Sequence, residues 1–155
     1  MLDFKALAEA KTAAQGINDK VHHRFVEAYQ AALKQVEHLH QLSCQFPERR
    51  LPEGLLRDAV DALSRVIDLK PSTANPYALF SYLFFLMENL FLARKYLQKA
   101  RRLNPDFPKI AELEALYNEF EALEEMQQQL PIEPERRPVA VRELDDFDEF
   151  ALPDV

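Results

Sequence analysis

Proline punctuates this chain. Ten prolines stand at positions 47, 52, 71, 76, 105, 108, 131, 134, 138 and 153, and the long stretches between them carry apolar residues at helical spacing. Proline removes a backbone donor and clashes with the preceding turn, so helix interiors exclude it and helix ends collect it. Only two glycines are present, Gly16 and Gly54, which speaks against sheets with tight hairpins and against a glycine loop that cradles phosphate. The pattern predicts an all-α fold of about six helices, at about 3–15, 19–45, 53–70, 76–88, 90–104 and 108–129. Gly16 is expected to end the first, and Asn18 or Asp19 to cap the second. The apolar stripe of that second helix is Val21, Phe25, Ala28, Ala32, Val36, Leu39 and Leu42.

From Pro131 the character changes. Three prolines within eight residues forbid a continued helix, and Glu143 to Val155 is acidic with scattered Phe and Leu. The expected organisation is a helical domain over 1–130, one domain's worth of chain, and an extended or disordered acidic tail over 131–155. The net charge of −7 follows the same division: 131–155 holds eight acids and three arginines, a net of −5. A nearly neutral body with an acidic tail repels phosphates, so nucleic acid is excluded as a partner class. The single cysteine, Cys44, forms no internal disulfide and points to a reducing compartment. The N-terminus shows neither a basic leader nor an apolar h-region, and a cytoplasmic location is expected.

A repeat runs through the middle of the chain. A shift of 34 positions pairs Leu56 with Leu90, Ala59 with Ala93, Leu63 with Leu97, Arg65 with Lys99, Leu69 with Leu103 and Pro71 with Pro105. A 34-residue period built of two helices is that of the tetratricopeptide repeat, and Ala74 to Phe107 resembles that family's consensus. Tyr77 stands in the place of the first-helix Trp, Phe80-Ser81 in that of the Leu-Gly pair, and Phe84 in that of the Tyr. Ala93, Leu97, Ala100 and Pro105 match the second helix and its terminal Pro. The family's turn glycine is replaced by Glu88, with Asn89 beside it. The preceding unit matches only in its second helix, through Ala59, Leu63, Val66 and Pro71, so the long helix before it stands in for the first. Ile110, Leu113, Tyr117 and Phe120 resemble the stripe of a capping helix. The resemblance covers about 55–125 and implies antiparallel helix pairs.

The resemblance further implies a groove lined by the first helix of each pair. Its groove-facing positions fall on Asn75, Ala78, Tyr82, Phe85 and Leu86, whereas Tyr77, Phe80, Ser81 and Phe84 pack within the repeat. A helix apolar all round is buried all round, and each large side chain left in water forgoes about 1.5–3 kcal/mol. The groove is therefore expected to be covered, either by the chain's own long N-terminal helix or by a partner protein or a second copy. Co-chaperones of the family that grip a carboxylate use Lys, Asn and Arg here, where this chain has Ala, Tyr and Leu. The apolar run around Tyr82 ends at Glu88-Asn89 and falls far short of the roughly 20 residues a membrane span requires, so no membrane insertion is expected.

Chemistry-bearing residues are few. All four histidines and Cys44 lie on the long helix; His40 and Cys44 share a face, as do His23 and Glu27, but two ligands do not close a zinc site. No catalytic motif or nucleotide loop is present, so no catalytic residue, metal or cofactor is expected. Lys95, Lys99 and Arg102 form a basic stripe, a solvated face or a docking strip for acid. In the tail, Leu144, Phe147 and Ala151 line one side of a short helix in an acidic-aromatic stretch, and Phe147 and Phe150 are the candidates for recruiting a partner. The expected function is that of an adaptor or scaffold that binds an apolar peptide or helix of another protein, not an enzyme. The alternatives are a small chaperone of a secretion system and a structural subunit of a larger complex.

Overall fold

The computed structural model describes residues 4–129 and 147–152. The described residues form five α-helices and one 3-10 turn, with no strand among them: α1 Phe4–Gln45, α2 Glu53–Leu69, α3 Ala74–Leu86, α4 Leu90–Leu103, α5 Lys109–Gln129 and the turn Asp148–Phe150. The all-α expectation holds. The helix count is one lower than expected because Gly16 does not end a helix; α1 runs through it for 42 residues. A glycine inside a helix costs only about 1 kcal/mol relative to alanine, and Ala6, Ala8, Ala10, Ala13 and Ala14 precede it. Residues 5–24 of α1 are exposed, and burial starts at Phe25. Of the expected stripe, Phe25, Ala32, Val36 and Leu39 are buried and Val21 is exposed.

α3 is the centre of the molecule, and it contacts every other described element. Twelve of its thirteen residues are buried, the exception being the half-buried Phe84. The helix starts at Ala74, two residues before Pro76, where a missing backbone N–H leaves no gap. It ends in a left-handed residue, Glu88 at φ 62°. Glu88 N–H donates to the Phe85 carbonyl and Asn89 N–H to that of Phe84, the Schellman closure that usually uses glycine. Asn89 then caps α4, its side chain accepting from Leu92 N–H at 3.1 Å. So tight a connection folds α4 back antiparallel along α3. Tyr96 lies beside Phe80 at 4.7 Å and Phe84 at 5.2 Å, and Lys99 reaches the ring of Tyr77.

The small residues let these helices approach. Ser81 is fully buried and donates to the Ala93 carbonyl at 2.5 Å while its oxygen also lies 2.7 Å from the Tyr117 hydroxyl. α4 and α5 are tied at their outer edge by Arg94 with Glu121 and by Arg101 with Glu114. α2 packs Ala59, Leu63 and Val66 inward and lies against α1.

Candidate functional site, an occupied groove

The floor of the groove is one side of α3, flanked by α1 and by α5. Asn75, Ala78, Tyr82, Phe85 and Leu86 are all buried there. They are covered from three directions. From α1, the His40 ring approaches Tyr82, with Nδ1 2.5 Å from the phenol oxygen. From α5, Tyr117 and Phe120 each place a ring centroid 5.2 Å from that of Phe85. From the C-terminal end of the chain, the segment Phe147–Leu152 lies in the groove, with Phe147 7% and Phe150 0% exposed.

The seated segment is held by its side chains and by its backbone. Phe147 stacks obliquely on His40 at 4.9 Å and meets Tyr82 edge-on at 5.9 Å. Phe150 packs on Phe147 at 5.4 Å and on Tyr82 at 6.5 Å. Two main-chain carbonyls of the segment are received by side-chain donors of the body. The Tyr29 hydroxyl donates to the Phe150 carbonyl at 2.6 Å, and Asn75 Nδ2 donates to the carbonyls of Phe150 at 3.2 Å and Ala151 at 3.3 Å. Burial pushes the Tyr29 phenol far above its ordinary value of 10.0, so it stays a neutral donor across the physiological range.

One buried charge marks the same place. The Lys109 side chain is 0% exposed; its Nζ pairs with Glu112 at 2.8 Å and with Glu149 of the segment at 3.5 Å. The same ammonium sits 5.3 Å from the centre of the Phe150 ring. A buried ammonium is tolerated only when paired, and here the C-terminal segment supplies one of its two carboxylates and an aromatic face.

Beside Phe147 a shallow cleft of about 260 Å³ is lined by Glu37, His40, Gln41, Cys44 and Gln45. Cys44 Sγ lies 3.6 Å from His40 Nε2. Among the described residues no group of three or more His, Cys, Asp or Glu is placed to hold a metal, and no helix is long and apolar enough to cross a membrane. What the arrangement can do is hold a short, bent peptide.

No family model, curated protein or solved structure matches the chain.

Of the positions expected to line the groove, two meet the tail segment, and Ala78, Phe85 and Leu86 are buried on the same helix. Asn75 and Tyr82 touch the segment directly, while Phe85 is covered by α5. Phe84, expected on the packed side of the repeat, is only half-buried, against Phe80 and Tyr96. Of the tail expected over 131–155 to be extended or disordered, residues 131–146 and 153–155 lie outside the described residues, Leu144 among them; the described part, 147–152, holds a one-turn 3-10 helix at Asp148–Phe150 and is seated on the body. The basic stripe Lys95, Lys99 and Arg102 is exposed on α4, and the described tail residues meet Lys109 instead. Tyr29, His40 and Lys109 were not foreseen in these roles. Tyr29 was readable as core, four residues beyond Phe25 and three before Ala32. For Lys109 the signal was a cation in the first turn of a helix, where the dipole disfavours it, followed three positions later by Glu112.

Proposed function

We propose that this protein is a tetratricopeptide-like adaptor whose groove on α3 binds a short segment of a partner protein. The 34-residue spacing and the α3–α4 hairpin support the family reading. The observation that carries the function is the donor pair formed by Tyr29 and Asn75. Both side chains are buried beside an apolar floor, and both donate to main-chain carbonyls of the chain's own segment at Phe150 and Ala151. A surface that satisfies backbone acceptors takes peptides, because those acceptors recur in every chain. No catalytic residue or cofactor enters this reading, and Cys44 remains a thiol in the cytoplasm.

The test is site-specific photocrosslinking from the full-length chain, with the photoreactive residue placed at Asn75. Adducts with discrete partner proteins, weakened when the donor hydroxyl is removed by Tyr29→Phe in a chain that still folds, are the expected result. Adducts confined to the chain's own residues 147–152 would refute the adaptor. A second reading, a structural subunit of a larger assembly, is favoured by the first five turns of α1. There Leu7 and Ile17 are 57% and 62% exposed on an arm that the other described residues leave uncovered. Crosslinks that arise at Ile17 and never at Asn75 would favour it.

A further inference from the structure

We propose that the groove selects partners by one chemistry, an acidic segment with two phenylalanines three positions apart, and that the chain's own Phe147–Leu152 competes for the site in cis. This rests on the adaptor reading and names its ligand class. Three features of the groove read that chemistry. Phe147 and Phe150 fill adjacent places on Tyr82, one against His40 and the other under Lys109. Lys109 sits where the residue before the second phenylalanine arrives, so a carboxylate there, as in Glu149, satisfies the ammonium and a lysine would face it with like charge. The Asn75 amide bridges two successive carbonyls and Tyr29 takes one of them again, which selects the bend without reading side chains.

Tethering sets the strength of the competition. Residues 130–146 join α5 to the seated segment, and eighteen peptide steps extend to at most about 60 Å. A segment confined within that radius has a local concentration of about 2 mM. A partner segment with the same contacts must therefore overcome the millimolar cis competitor. For a free segment that binds at ~0.2 mM or tighter, disabling the tail improves apparent affinity about tenfold or more.

The experiment titrates a fluorescein-labelled synthetic peptide of residues 143–155 with three full-length chains, read by anisotropy. The chains are the unsubstituted protein, Glu149→Lys and Phe147→Ala/Phe150→Ala. The peptide is expected to bind the double variant about tenfold or more tighter than the unsubstituted chain, and Glu149→Lys several-fold tighter. A peptide carrying Glu149→Lys should lose most of this binding. If the double variant fails to fold, Glu149→Lys decides, because Glu149 lies at the exposed rim. Equal binding to all three chains, or no binding to a folded variant, overturns the proposal. So does light scattering that finds the unsubstituted chain dimeric and the double variant monomeric, which would make a second copy the occupant. Peptide binding that fails while Asn75 crosslinks to partners persist removes the acidic-aromatic ligand class alone; loss of those crosslinks removes the adaptor.

Discussion

Truncating Phe150 to alanine distinguishes a segment that belongs to the core from one that rests on it. The ring is 0% exposed, and removing a phenylalanine so placed inside a core costs about 3–5 kcal/mol. Phe150, however, lies in a six-residue segment that can leave the groove without opening a helix. The loss can then not exceed the free energy that docks the segment. Two buried phenylalanines contribute about 1.5–3 kcal/mol each. Three hydrogen bonds from Tyr29 and Asn75 add about 0.5–1.5 each, for about 7 kcal/mol in all. Ordering six backbone residues costs about 1–2 kcal/mol each, or about 9. The two sides cancel to within a few kcal/mol, so docking is marginal and Phe150→Ala should release the segment. In hydrogen exchange read by mass spectrometry, residues 147–152 should lose protection while α2 to α5 keep theirs. The melting temperature should fall by less than in Leu79→Ala, whose fully buried side chain on α3 has no such escape. A Phe150→Ala chain that unfolds as completely as Leu79→Ala, or that keeps its protection at 147–152, would refute this reasoning.

Three further outcomes are expected. Gly16→Ala should raise helicity and protection in α1, by about 1 kcal/mol, because a Cβ at Gly16 meets nothing within 4 Å; unchanged exchange across residues 5–24 would count against a continuous helix there. Tyr82→Glu puts a carboxylate at a fully buried position at a cost of several kcal/mol, and circular dichroism should show a chain that melts far lower or does not fold; an unaltered melting temperature would mean that Tyr82 is not enclosed by its own chain. Burial raises the phenols of Tyr29 and Tyr117 above their ordinary 10.0, so above pH 10 the unfolded chain releases protons that the folded chain retains. Stability is therefore full below pH 10 and falls as pH rises beyond it, by about 1.4 kcal/mol per pH unit for each phenol; Tyr117→Phe should remove one such share of the slope in urea titrations, and an unchanged slope would contradict its burial.

Local chemistry wrote the helices into this sequence. Pro52 and Pro71 bracket α2, Pro76 stands in the first turn of α3, Pro105 follows α4 and Pro108 precedes α5, because proline acts on the backbone of its own turn and needs no neighbour to do so; the α3–α4 turn at Glu88 and Asn89 uses none. The same holds for the burial of α3, whose apolar residues on every side leave no face for water. Gly16 misled for the converse reason: its cost of about 1 kcal/mol is small, and the alanines before it outweigh that cost. What covers the groove was not legible. The sequence pattern left open the long helix, a partner protein and a second copy, and the folded chain uses α1, α5 and Phe147–Leu152 together. Such contacts join residues 42, 75 and 121 positions apart, as in His40 with Tyr82, Asn75 with Phe150 and Tyr29 with Phe150. No periodicity carries information over those separations. Lys109 shows the limit most plainly: a lysine with Glu112 three positions on reads as surface until the tertiary structure brings Glu149 and the Phe150 ring over it, and these join Glu112 in offsetting its burial.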